Sequence, residues 1–350
     1  MKTIMSRVPV FLILSIGFLF LLLDASISTA VEKSVHKEVI VIYKNEEGKN
    51  KISEISEEIE FEFTHIPGVV ASFEELELEE LRNDRNIAYV EENSLFMIAG
   101  ALQKGVTHGA STIPWNLHAV NATQAWNNGF TGKKIKVAVI DSGIAPHEKL
   151  SVAGGVSTIE GVSSWIDDNG HGTHVAGTIA AKHQGGGVSG VAPDVELYAI
   201  KALDRDGVGS LRNILAAIDW SIANKMDIIN LSLGTDTYSQ ALEHILNVAY
   251  QQGILIVGAS GNTGNHSGTG NTVNYPAKFE SVIAVAAVDS NMNRAPFSST
   301  GHEVEFSAPG ISILSTHLNN GYQTGDGTSF AAPHITGLLA VLKERNPHSI

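Results

Sequence analysis

Gly327-Thr328-Ser329-Phe330-Ala331-Ala332-Pro333-His334 runs straight into the apolar segment Ile335 to Leu342. A serine thus stands at the end of a glycine-rich turn, with a long buried helix expected behind it. Pro333 is read as lying in that helix's first turn, where a missing N–H is tolerated. Ser329 then sits at or just before the helix N-terminus, where unpaired backbone N–H groups favour negative charge beside its hydroxyl. Such a place suits a serine that attacks a carbonyl and creates an oxyanion. Taken alone, the stretch is also an ordinary helix cap, so the rest of the chain must decide.

Upstream, from Trp115, strand-like and helix-like stretches alternate. Apolar runs predict strands at Ile135 to Asp141, Glu196 to Ala202, Ile228 to Leu233, Ile254 to Ala259 and Val282 to Val288. Helical spacing recurs between them at Thr173 to Lys182, Leu211 to Asn224 and Ser239 to Gln252. The strands are continuously apolar, which predicts an α/β domain with a mostly parallel sheet and helices on both faces. Ligands of open sheets bind beyond the carboxyl ends of the strands. Asp141 ends the first strand, Gly234 follows the third and Asn262 follows the fourth.

Val139-Ile140-Asp141-Ser142-Gly143 puts a carboxylate at a strand exit, and His171 lies thirty residues on in Asn169-Gly170-His171-Gly172-Thr173-His174. Ser329 follows after a further 158 residues. In such a set the histidine takes the serine proton while the aspartate holds the imidazole's tautomer and orientation. Gly258-Ala259-Ser260-Gly261-Asn262 adds a side-chain amide able to donate to the developing oxyanion. Each piece has a plainer role: Asp141 as a turn cap, His174 as a packed helix histidine, Asn262 as a turn residue. His171 and His174 lack the glutamate that accompanies a zinc-protease pair. All four pieces nevertheless fall in one order at strand or helix ends.

The N-terminal third reads differently. Lys2 and Arg7 precede the apolar run Val10 to Leu23, and Ser28-Thr29-Ala30 offers small residues for cleavage. This is the pattern of a secretory signal peptide over residues 1–30, cut after Ala30, and its 14-residue run is short for a spanning helix. The expected location is extracellular, with no membrane attachment once the signal is removed. Glu32 to Gln103 carries 17 acidic against 7 basic residues, whereas the chain from Lys104 onward has a net charge of −5. An acidic block of this kind argues against nucleic acid as a partner. No cysteine is present, so disulfides and thiolate metal sites are excluded. Strands at Glu38 to Tyr43, Glu60 to His65, Val69 to Phe73 and Ile87 to Glu91, with a helix at Glu74 to Asp84, make residues 31–103 a small α+β module. Asn93 to Ile113 reads as an irregular linker open to proteases.

From about Ile113 to its end, the chain resembles the subtilisin-like serine proteases, the subtilase family. Val-Ile-Asp-Ser-Gly, Gly-His-Gly-Thr-His-Val-Ala-Gly and Gly-Thr-Ser-Phe-Ala-Ala-Pro-His stand nearly as that family has them, with Phe330 in place of the usual Met. The resemblance implies a secreted serine endopeptidase acting on proteins or peptides as a monomer. Its triad would be Asp141, His171 and Ser329, with Asn262 and the Ser329 N–H as the oxyanion hole. Gly207, Val208, Gly209 and Ser232, Leu233, Gly234 would flank an extended substrate. The latter three, with Ala259, Ser260 and Gly261, would wall the pocket for the residue before the scissile bond, which is expected to take large apolar or aromatic side chains. Residues 36 to 96 are similar to the family's ferredoxin-like prosegment, an intramolecular inhibitor, although Asn45 to Glu58 looks short for its first helix. Residues 104–350 would be the catalytic domain, freed by self-processing.

Two departures qualify the resemblance. Structural calcium is the one cofactor it implies, yet Lys149 stands where the main site has an Asp and Gln184 where it has an Asn. The chain also stops at Ile350, where the family normally continues, so two or three apolar side chains of the Ser329 helix are expected to lack cover. The competing reading from another class is a secreted protein that holds peptides without cutting them. An α/β-hydrolase esterase fits poorly, because Gly-x-Ser-x-Gly is absent and the residue order is wrong.

Overall fold

The computed structural model describes residues 36–103, 114–183 and 188–347. The signal-like residues 1–30, most of the linker and Gln184 lie outside the described residues. The acidic module comprises β1 (Lys37–Tyr43), α1 (Glu46–Ile55), β2 (Ile59–Glu62), β3 (Gly68–Phe73), α2 (Glu75–Asn83) and β4 (Ile87–Glu92). Its antiparallel sheet has the order β2-β3-β1-β4, which is the ferredoxin-like arrangement. The first helix is present despite the shortness of its segment. Asn45 caps it by accepting from Gly48 N at 3.0 Å, satisfying an N–H that a helix start leaves unpaired.

The segment read as an irregular linker instead contains β5 (Leu95–Ile98) and β6 (Ala101–Leu102). Beyond it come α3 (Trp115–Ala119), α4 (Ala122–Asn127), β7 (Lys136–Asp141), β8 (Val152–Ser157), α5 (His171–Ala180) and β9 (Glu196–Lys201). Next are β10 (Val208–Ser210), α6 (Leu211–Ala223), β11 (Ile228–Leu231), β12 (Leu233–Gly234) and α7 (Gln240–Gln251). The chain continues through β13 (Leu255–Ala259), β14 (Ile283–Val288), β15 (Val304–Pro309), β16 (Ile313–Thr316), β17 (Tyr322–Asp326) and α8 (Thr328–Arg345). Seven strands form one sheet in the order β15-β14-β13-β11-β7-β9-β8, and every pairing is parallel. The expected α/β class therefore holds.

Both faces of that sheet are covered, and the pleat divides the side chains between them. Ala138 and Ile140 of β7 pack with α6 and α7, while Val137 and Val139 pack with α5 and α8. Helix α8 is buried from Thr328 through Gly337. The incomplete cover expected for this helix falls at its C-terminal end, where Leu342 is exposed and Leu338 and Leu339 are only half-buried. Pro333 lies in the second turn of α8, not the first. It therefore removes the N–H that would pair with the Ser329 carbonyl, and the Ser232 hydroxyl donates to that carbonyl instead, at 2.8 Å.

The acidic module uses both faces of its own sheet. Val39, Val41 and Val69 pack with its helices, whereas Ile40, Ile42, Phe63, Ile66 and Val70 join the core formed by α6 and α7. Each such large side chain removed from water is worth about 1.5–3 kcal/mol. Polar anchors fix the register. The Glu91 carboxylate accepts from Ser239 Oγ, Gln240 N and Ala241 N at the start of α7, at 2.6, 2.7 and 3.2 Å. Asn93 Oδ1 accepts from Arg212 N, and Ser94 O from Leu211 N, at the start of α6. Buried Asp219 of α6 accepts from His65 N and from His65 Nδ1. Replacing Glu91 by Ala withdraws a carboxylate from a helix N-terminus, which is expected to cost about 1–2 kcal/mol. A lower urea midpoint of the full chain checks this, while Glu92→Ala, at an exposed neighbour, is expected to change stability by less than about 0.5 kcal/mol.

Candidate active site

Asp141 ends β7 fully buried, and His171 opens α5 directly across from it. His171 Nδ1 lies 2.8 and 3.0 Å from the two Asp141 oxygens. The carboxylate accepts the Nδ1 proton, which leaves Nε2 as the basic nitrogen, and Nε2 has no hydrogen-bond partner among the described residues. Close packing makes the approach possible. A side chain at Gly172 would overlap the Gly143 carbonyl and press on Asp141, so only glycine fits beside the histidine.

Three supporting residues were not singled out from sequence. Asp167 is buried and caps α5, accepting from Asn169 N, Gly170 N, Thr173 N and Thr173 Oγ1. Its sequence signal was weak, because the N-cap position itself is Gly170 and Asp167 reaches the helix start from three residues further back. Lys201, also buried, donates to Ser142 O at 2.8 Å, to Leu203 O and to Asp168 Oδ1, tying down the loop that follows Asp141. Thr328 donates to Asn262 Oδ1 from both N and Oγ1, each at 3.0 Å. With its oxygen so occupied, Asn262 must present its NH2 to the opposite side.

What receives that NH2 is the chain's own backbone. Asn262 Nδ2 donates to the Ala99 carbonyl at 2.6 Å, and Ser329 N donates to the same oxygen at 3.0 Å. Strand β5 leads up to this point between β10 and β12, antiparallel to both. Ile98 N donates to Gly207 O and Ala99 N to Ser232 O. Of the expected substrate-flanking residues, Val208 and Gly209 stand opposite Met97 and Phe96, and Leu233 and Gly234 opposite Ile98 and Met97. Past Ala99, β6 pairs with β17. Gly327 leaves room for this path, because a Cβ there would lie 2.6 Å from Gly100 Cα. Phe96 is fully buried, while Leu95 and Met97 face outward. Ala259 and Ser260 are buried at the end of β13, and Gly261 follows in the left-handed region at φ 107°.

Ser329 is the second residue of α8 and is fully buried. Its Oγ donates to Ser232 O at 2.8 Å, not to His171. Asp141 is thus paired with His171, and Asn262 shares the Ala99 carbonyl with Ser329 N, while the Ser329 hydroxyl bonds to a second carbonyl.

Lys149 is buried, and its ammonium donates to Lys182 O at 3.3 Å. A hard cation needs oxygen ligands of this kind, and an ammonium already among them repels it, so the residues present do not fit calcium there. Among the described residues, Glu38, Glu60 and Glu160 bring carboxylates together. Arg212 Nη1 donates to all three, at 2.7, 3.0 and 2.8 Å, which makes the cluster an ion-pair network.

Comparison with known proteins follows the same lines. The model of a family described as the subtilase family, Peptidase S8, matches residues 132–349. The chain is 48% identical over 341 residues to the minor extracellular protease Epr of Bacillus subtilis, covering 96% of this chain and 52% of Epr. It thus spans about half of Epr. It is 44% identical over 313 residues to a thermostable alkaline protease of Halalkalibacterium halodurans, covering 89% of this chain and 82% of that protein. With subtilisin E of Bacillus subtilis it shares 39% identity over 333 residues, 93% of this chain and 84% of the relative.

Two outcomes follow from the site's electrostatics. Burial pushes His174 down to about 3 and His334 down to about 4, from 6.5. Below pH 6.5 the unfolded chain binds protons on these residues that the folded chain refuses, so stability falls as pH drops towards 4. Proton uptake on unfolding near pH 5 is expected to include about two from this pair, and His334→Gln removes one of them, as calorimetry in buffers of different ionisation enthalpy would read. EDTA is expected to leave the thermal midpoint unchanged, whereas stripping an ion held at a hundred times its Kd withdraws about 2.7 kcal/mol. A fall of several degrees would place a stabilising ion elsewhere.

Proposed function

The chain belongs to the subtilase family, and on that footing we propose that it is a secreted serine endopeptidase, seen here as its own uncut precursor. The observation that carries this reading is the double donation to one carbonyl: Asn262 Nδ2 and Ser329 N both hold Ala99 O. Two convergent donors on a backbone oxygen are what an oxyanion hole offers a substrate. The neighbouring strand pairing supports it, because β5 adds to two sheet edges as an extended peptide would.

In this reading Asp141, His171 and Ser329 are the triad. Ser329 Oγ turns from Ser232 O towards His171 Nε2, gives up its proton there and attacks the Ala99 carbonyl carbon. The resulting O⁻ stays on the two donors already in place. Collapse breaks the Ala99–Gly100 bond, and the proton on Nε2 passes to the Gly100 amine as it leaves. Water then attacks the acyl-enzyme with His171 again as base, which regenerates Ser329. Asp141 fixes the Nδ1–H tautomer throughout, and Lys201 and Asp167 hold the loops that carry the pair.

The scissile bond on this account is Ala99–Gly100, four residues before the boundary at Gln103 read from sequence. Residues 36–99 are then a prosegment that inhibits by filling the cleft with their own C-terminal strand. Residues 1–30 are a signal for export, consistent with a relative whose name calls it extracellular. Where the reading of a peptide holder without chemistry stands apart is the fate of the chain: it leaves Ala99–Gly100 intact.

Wild-type protein is therefore expected to yield a fragment whose new N-terminus is Gly100, and Ser329→Ala to stay full length in a protease-free host. Mass spectrometry of both products checks this. A processed Ser329→Ala chain would overturn self-cleavage, and a folded wild-type chain that stays uncut would favour the peptide-holding reading.

A further inference from the structure

A donor such as Asn262 must stay within about 0.5 Å of its working geometry, and apolar burial cannot keep it there. Residues 263–271, which follow it, read Thr-Gly-Asn-His-Ser-Gly-Thr-Gly-Asn, without one apolar side chain, and most of them are exposed. Polar ties serve instead, and they fall on both sides of Asn262. Before it, Asn274 N donates to Ser260 O and Ser299 N to Gly261 O, each at 2.9 Å. After it, Gly264 N donates to Phe297 O at 2.8 Å. Both flanks thus depend on one turn, residues 295–299. A Cβ at Gly264 would lie 2.1 Å from Ser298 O, so the loop passes flush against that turn.

Inside the turn lies Arg294, a residue that sequence reading passed over. Its Nη1 donates to Ser298 O at 2.6 Å and to Ala295 O at 3.0 Å, with Pro296 O at 3.4 Å. Its Nη2 reaches across to the loop and donates to Asn265 O and His266 O. One planar group therefore holds five carbonyls of two segments, which its rigid fork of donors allows. Every one of these partners is a peptide carbonyl, not a carboxylate, so the guanidinium supplies the cohesion that the loop's own side chains lack. The sheet anchors the turn in its own right. Ala295 N donates to Ala287 O of β14 at 2.8 Å, and Ala287 N donates to Ser298 Oγ at 2.9 Å.

We propose that Arg294 is a positioning residue for the oxyanion hole, keeping Asn262 Nδ2 on the attacked carbonyl by clamping the turn and loop that flank it. This inference rests on the peptidase reading above and adds a residue that works through Asn262 alone. A misplacement of about 1 Å costs on the order of 10²-fold in rate. Thr328 still holds the Asn262 oxygen when the clamp is lost, so the expected loss is about 10–100-fold.

The test is a double-mutant cycle on the first-order rate of self-cleavage in the full chain. Arg294→Ala is expected to slow cleavage by about 10–100-fold in the wild-type background and by less than about threefold beside Asn262→Ala, where no donor is left to misplace. Arg294→Lys keeps the charge but not the fork, and its rate is expected to fall between those of wild type and Arg294→Ala. With processed protein and the p-nitroanilide of Phe-Met-Ile-Ala, which copies residues 96–99, kcat is expected to fall while KM stays within about twofold. A merely structural role predicts equal losses in both backgrounds. That result, a loss in KM alone, or a folded Arg294→Ala chain that cleaves at the wild-type rate would overturn the inference. If Arg294→Ala does not fold, Arg294→Lys enters the cycle under the same criteria, a coupled loss supporting the inference and an additive or absent loss overturning it. The peptidase reading fails separately, when a folded wild-type chain stays uncut, and this inference falls with it.

Discussion

One carbonyl oxygen, that of Ala99, takes hydrogen bonds from a side-chain amide on one loop and from the backbone of a helix N-terminus. The two donors come from chain positions 67 residues apart, so the sheet must hold the end of β13 and the start of α8 in fixed relation. It does so because both faces of the seven-stranded sheet are packed and α8 is buried along the turns that carry Ser329. Interiors packed to this degree transmit displacement instead of absorbing it. A shift in α8 would therefore separate Ser329 N from Asn262 and open the site.

The same helix is held from below by a polar network. Pro333 leaves the Ser329 carbonyl without its helical partner, and Ser232 Oγ supplies one. Asn230 Nδ2 donates to that hydroxyl at 2.9 Å, and Thr336 Oγ1 donates to Asn230 Oδ1 at 2.8 Å. All of these groups are fully buried, where an unpaired member costs about 1–3 kcal/mol. The network therefore tolerates few alternatives, and it ties the strand that flanks β5 to the helix that carries the serine.

Much of this was legible in sequence because chemistry concentrates at strand exits. Asp141, Asn262 and the glycine-flanked His171 stand out against apolar runs, and the parallel sheet follows from those runs. Strands with weak patterns were not legible: Val152–Ser157 contains two glycines, and Val304–Pro309 is interrupted by Glu305 and Ser307 and ends in a proline. Strand β5 could not be read at all, since it is a strand only by virtue of the edges of β10 and β12. Helix α1 was hidden by a largely polar sequence and revealed by its Asn45 cap. Lys201, Thr328 and Asn274 are ordinary residue types in unremarkable contexts, and only the tertiary approach of distant loops gives them work.

The claim on which the account turns is that Asn262 and Ser329 N hold the carbonyl that is to be attacked. It is tested most directly by the first-order rate of self-cleavage in the full chain with Asn262→Ala. Loss of one such donor is expected to slow cleavage by roughly 10²–10³, the range known for this donor within the family, while the chain stays folded with β5 in the cleft. A cleavage rate equal to wild type in a folded Asn262→Ala chain would contradict it.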